Sequence, residues 1–173
     1  MDKPPGRGVP LLRPEQYRPA IVQRFARVAQ RLRASLPGAQ IEHIGSSAVA
    51  GAVSKGDLDV AVLVAPEEHA AAVQTLAALG YRETPDTLRA PALCMLDWHW
   101  PGEQHAVQVI ARGSRFEMFI AFRDALRAEP ALVAEYNRVK ADASGLSEVG
   151  YRAAKSEFIE RVLQARAMAL PSL

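Results

Sequence analysis

Asp57 and Asp59 flank Leu58 and lead into Val60-Ala61-Val62-Leu63-Val64, while Gly45-Ser46-Ser47 closes the preceding Ile41-Glu42-His43-Ile44 segment. Alternate residues of a strand share a face, so the spacing predicts that both carboxylates project together, opposite Leu58 and Val60. Paired carboxylates suit a hard divalent cation. Mg2+, or Mn2+ in its place, takes one or two such oxygens and completes its shell with substrate phosphates. An ion held this way orients a triphosphate and offsets charge on the leaving group. Glycine lets the backbone approach a phosphate, to which exposed N–H groups and a serine hydroxyl donate. Each motif also has a plainer reading, the acids as a solvated strand end and the turn as an ordinary serine cap. Their proximity in sequence favours chemistry.

Both motifs need a sheet to hold them. Ala39 to Ile44 and Gly56 to Val64 read as strands, the second too apolar for an outer edge. Upstream, Pro14 and Pro19 bracket a helix entry, and Ile21, Val22, Phe25, Val28, Ala29 and Leu32 recur at helical spacing through Ser35. Pro66 opens a helix that Gly80 ends; Tyr81 to Glu83, Ala92 to Trp100 and Ala106 to Ala111 read as strands. Arg115 to Ala128, Ala131 to Ala143 and Val149 to Ala169 read as helices. Strands before residue 112 and helices after it predict an α+β fold, a small mixed β-sheet with packed helices and a helical C-terminal segment. Residues 1–12 are expected to be mobile, ending in Val9 to Leu12, which either pair as an edge strand or lie across the domain, and 13–173 to form a single domain.

The 173 residues hold 21 Lys and Arg against 19 Asp and Glu, so net charge gives no indication of nucleic acid. A lone cysteine, Cys94, excludes an intrachain disulfide and reads as a buried apolar thiol. Neither a signal peptide nor a membrane span is evident, and a cytoplasmic location is expected. His43, His69, His99 and His105 lack the spacing of a zinc site. His43, just before the turn, is a pocket candidate or else a hydrogen-bonded strand-end residue. Arg123 and Arg127 share a helix face, as do Tyr151 and Lys155. These groups either grip phosphate or join the helices by ion pairs.

The segment resembles the Gly-Ser and Asp-x-Asp signature of the DNA polymerase beta-type nucleotidyltransferase superfamily and, more narrowly, the GrpB-like family. His43, Gly45, Ser46, Ser47, Val49, Gly51, Lys55 and Asp59 carry the resemblance, together with Phe122-Arg123-Asp124, Glu135-Tyr136, Lys140, Tyr151, Lys155 and Phe158. It implies a nucleotidyltransferase fold. By that likeness Asp59 is a catalytic and metal-binding acid; Asp57, standing where many members carry an apolar residue, strengthens the metal reading as its partner, and Gly45, Ser46, Ser47, Lys55 and Lys155 are expected to receive a nucleoside triphosphate for an acceptor left open. Active superfamily members add a third carboxylate from a neighbouring strand. Gln108 holds the corresponding inward position and cannot serve as a base, while Asp97 on the preceding strand is a possible substitute. A non-catalytic nucleotide- or phosphate-binding module and an interaction domain retaining only the fold therefore stand as alternatives.

Overall fold

The computed structural model describes residues 8–169. Helix α1 (Pro14–Ser35) precedes β1 (Gln40–Ile44), a 3-10 turn (Ser46–Ala48) and β2 (Asp59–Val64). Helix α2 (His69–Ala78), β3 (Arg82–Glu83), β4 (Leu93–Trp98) and β5 (His105–Ala111) follow, then α3 (Met118–Ala128), α4 (Pro130–Ala143) and α5 (Glu148–Ala169). The strands form one sheet in the order β1-β2-β5-β4-β3, in which only β2 and β5 run parallel.

The apolar run of β2 lies second in the sheet, which explains why both its faces are covered. Val60, Val62 and Val64, with Val107, Val109, Cys94 and Leu96, pack beneath Val28 and Leu32 of α1 and Leu76 of α2. Ala61, Leu63, Ile44 and Ile110 pack against Phe116, Phe119 and Ile120 on the opposite face. A second core joins α3, α4 and α5 through Phe122, Leu126, Val133, Tyr136, Phe158 and Val162. The site lies where this helical unit meets the sheet.

Two expected boundaries move for local reasons. Helix α1 starts at Pro14, the earlier of the two prolines that bracket the expected entry, because Gln16 Oε1 accepts the Arg13 N–H at 2.7 Å and Pro14 needs no donor there. Strand β2 begins at Asp59, since Gly56 turns left-handed at φ +85° and leaves Asp57 outside the ladder. Residues 8–12 run across the domain, one of the two courses expected for Val9 to Leu12. Leu12 and Ser54 exchange backbone bonds of 2.7 and 3.0 Å, and the Val9 N–H donates to the Ser144 carbonyl at 2.7 Å. The rest of that expected segment, residues 1–7, lies outside the described residues. Cys94 is fully buried, as its neighbours predict. Among the described residues, no helix is long and apolar enough to cross a membrane.

Candidate functional site

Strand β1 ends at Ile44, and Gly45 turns the chain with φ +76° and ψ −178°, a region that essentially only glycine adopts. A Cβ at Gly45 would stand 2.6 Å from Asp59 Oδ2. Backbone geometry and the neighbouring carboxylate therefore both require glycine, and the acid lies against the turn itself. Ser46 and Ser47 then diverge. The Ser47 hydroxyl is buried and donates to the Asp57 carbonyl at 2.7 Å, while His43 Nε2 lies 3.0 Å from the same oxygen. Because the serine proton is committed to Asp57, His43 must donate from Nε2.

His43 belongs to the other face of the sheet. It pairs with Val60 and stacks on Phe25 of α1, with ring centroids 4.9 Å apart. Burial, with the charges of Arg127, Arg18 and Arg123, lowers its pKa to about 4 and keeps it neutral. The expectation that His43 lines the pocket is corrected accordingly: it braces the turn from behind. Ser47 likewise ties the turn to Asp57 and does not line the cleft.

Asp59 pairs with Ile44 on one side and Ala106 on the other, so its side chain shares a face with Ala61 and Gln108. Asp57 is exposed and precedes the strand. Both acids nevertheless line one cleft of about 190 Å3 with Gly45, Ser46, Lys55 and Lys155. Burial and the adjacent Asp57 charge raise the Asp59 pKa to about 6, opposed by Lys155 and Lys55, while Asp97 adds a small upward push. The predicted strand pairing of the two acids is absent; their convergence on one cleft has a different origin, the turn at Gly56.

Asp97 faces the same side of the sheet but is separated from Asp59 by Ala106, two strand spacings or roughly 10 Å between backbones. It lines an adjoining groove with Asp57 and Asp59 instead of the main cleft. Gln108 does line the cleft, and its Oε1 is buried without a hydrogen-bond partner. Among the described residues, no three His, Cys, Asp or Glu side chains are grouped closely enough to hold a metal ion.

The cations separate into two kinds. Arg123, though buried, is paired: it donates to Glu42 Oε2 at 2.6 Å, to the His43 carbonyl at 2.9 Å and to Asp124. Arg127 donates twice to the Ala48 carbonyl, at 3.1 and 2.8 Å. Neither lines the cleft, so the expected contribution of Arg123 and Arg127 to the pocket is corrected: they clamp the sheet and the turn to α3. Lys55 reaches the cleft but is shared between Asp57 at 3.6 Å and Glu148 at 3.2 Å. Lys155 stands over the Tyr151 ring, 5.4 Å from its centroid, and burial lowers its pKa against the pull of Asp59. Tyr151 lines the cleft, and burial pushes its hydroxyl up to about 12.

Sequence reasoning gives Tyr136 no place in the cleft, whose wall it forms, and offers Lys140 only as one of several helical cations, not as a buried group behind that wall. Lys140 is 1% exposed and donates to Ser46 Oγ at 3.1 Å. A signal existed: Val133, Tyr136, Lys140 and Ala143 form the buried stripe of α4, and a lysine on such a stripe is unusual.

The GrpB protein family model matches residues 13–165. A UPF0157 protein of Vibrio cholerae is 48% identical over 86% of this chain and 79% of its own length; another from Deinococcus radiodurans is 35% identical over 91% and 82%. The crystal structure of conserved protein GrpB from Enterococcus faecalis has a TM-score of 0.70 at 25% identity, covering 91% of this chain and 99% of that one. A Cid1 poly(U) polymerase structure, 14% identical, aligns with TM-score 0.50 over 72% of this chain and 40% of its own, a likeness of fold alone. On a nucleotidyltransferase fold, with the Gly45 turn seated against Asp59, this chain belongs to the GrpB family.

Proposed function

We propose that the cleft binds a nucleoside triphosphate with Mg2+, or Mn2+ in its place. The observation that carries this reading is that Asp59 fills the space where a side chain at Gly45 would begin, which joins a carboxylate to the glycine-serine turn. The fold likeness to Cid1, whose structure is bound to MgATP, supports it. The donor set fits a hard cation: the acids lining the cleft are Asp57 and Asp59, and neither histidine nor cysteine joins them. Their mutual repulsion, visible in the raised pKa of Asp59, is relieved by a divalent charge. When bound, the ion supplies charge neutralisation and alignment of the phosphates.

The chain's own groups do the rest. Asp59 would hold the ion from the strand and Asp57 from the preceding loop, while Gly45, lacking a Cβ, lets Asp59 sit against the turn and Ser46 donates its hydroxyl to a phosphate oxygen. Lys155, on the opposite wall, offsets phosphate charge, with Lys55 assisting once it leaves its carboxylate partners. Transfer of the nucleotidyl group to an acceptor requires a proton to leave the attacking hydroxyl.

Gln108 favours a second reading, binding without transfer. It occupies the inward position on β5 and cannot take that proton, while Asp97 lies beyond Ala106. Equilibrium dialysis of labelled nucleotides with Mn2+, followed by pyrophosphate release with hydroxyl acceptors, separates the two. Metal-dependent retention with acceptor-dependent pyrophosphate supports transfer; retention alone supports the binding module. Retention of no nucleotide at all would sink both.

A further inference from the structure

Lys140 is the largest of the fully buried side chains, and its position is unusual in one respect. Its ammonium donates to Ser46 Oγ at 3.1 Å and to the Val53 carbonyl, and sits 4.2 Å from the Tyr136 ring centroid. Those contacts satisfy its donors. They do not balance its charge: Lys140 forms no ion pair among the described residues, and Lys155 from α5 adds to burial in opposing its ammonium. Tyr136 separates it from the cleft; burial holds its hydroxyl protonated, Ser46 hydrogen-bonds with it, and Tyr151 and Asp59 act on it more weakly. A neutral amide could tie Ser46 to Val53 without burying a cation, so a purely structural tie gains nothing from the charge.

We propose that Lys140 is the positioning residue of the phosphate site: a phosphate group accepted by Ser46 supplies the negative charge that this buried ammonium lacks, and its binding is coupled to uptake of a proton. The inference rests on the nucleotide-binding reading and adds a role for a residue outside the cleft lining. Since the ammonium donates to Ser46 Oγ, the serine proton is held by the Tyr136 hydroxyl and turns to a phosphate oxygen once one enters. The anion then lies one hydroxyl away from Lys140. Burial and Lys155 bring the Lys140 pKa down to about 7, so at pH 7.5 roughly three-quarters of the molecules hold it neutral. An anion at Ser46 raises that pKa, and the proton comes from buffer.

Calorimetry of MgATP binding at pH 7.5, in buffers of different ionisation enthalpy, reads the proton directly. Wild type should take up about half a proton or more relative to Lys140→Arg, which stays charged throughout. Lys140→Met should bind at least about tenfold more weakly. If the variants do not fold, lysine Cε NMR of the wild type serves: one lysine should titrate near 7 alone and above about 9 with MgATP. MgATP binding with no lysine shift, or wild-type affinity in Lys140→Met, overturns the proposal. Inorganic tripolyphosphate distinguishes the two levels. Its binding with the lysine shift, when MgATP does not bind, sustains the role of Lys140 while the nucleotide reading fails; no binding of either defeats both.

Discussion

Helix α3 on one side, and helices α4 and α5 on the other, each bring two cations towards the loop between β1 and β2, and the pairs meet different ends. Arg123 and Arg127 are consumed by Glu42, Asp124 and the carbonyls of His43 and Ala48. Lys155 lines the cleft and Lys140 reaches the same loop from behind the cleft wall, and neither forms an ion pair among the described residues. A guanidinium presents several donors in a fixed fork and clamps backbone carbonyls well, whereas an ammonium is a point charge on a flexible stem. The arginines thus hold the turn in shape, and the lysines leave positive charge available where the cleft lies.

The largest break in this division of labour comes at the turn that both pairs address. Gly45→Val puts a β-branched residue at φ +76° with its Cβ against Asp59 Oδ2, and should cost about 3 kcal/mol or more in urea denaturation. A cost below about 1 kcal/mol would mean that the turn can relax away from Asp59. Next is Arg123→Met, which strands Glu42 at the sheet edge. With Glu42 partly exposed, a loss of about 2 kcal/mol is expected, largely recovered in the double variant with Glu42→Gln.

Acid tests the bracing from behind the turn. The His43 pKa is lowered from 6.5 to about 4 in the folded protein, so the unfolded chain binds the extra proton first. Stability contributed by neutral His43 is complete above pH 6.5 and falls as pH drops from 6.5 towards 4. The decline should approach about 2 kcal/mol and be absent from His43→Phe, measured by denaturation across that range. Lys155→Met sits at the small end for folding. Stability should move by no more than about 0.5 kcal/mol, while nucleotide affinity falls about tenfold; the reverse pattern would place Lys155 with the arginines.

Some of this was legible in the residues themselves. The valine-rich run from Val60 announces a buried central strand, Pro130 marks the start of α4, and the α+β division follows from where apolar alternation gives way to helical spacing. Gly45, Ser46 and Asp59 could be singled out because their chemistry is unusual together. The position of Asp57 could not be read from periodicity, since the left-handed Gly56 ends the pattern before the strand begins. The roles of His43 and Ser47 depended on which face of β1 turned towards α1, a tertiary choice. Arg123 and Lys140 differ least in sequence and most in structure: both lie on helix faces among apolar residues, and only folding sets one beside Glu42 and the other beside Ser46.

Metal-dependent nucleotide binding requires Asp59 and the Gly45 turn to act as one site. Isothermal titration of ATP into wild type and Asp59→Asn, each with Mg2+ and with EDTA, tests this most directly. Wild type should bind only with the metal, and Asp59→Asn should weaken binding by about thirtyfold or more while remaining folded. Equal affinity in the two proteins, or binding indifferent to the metal, would contradict it.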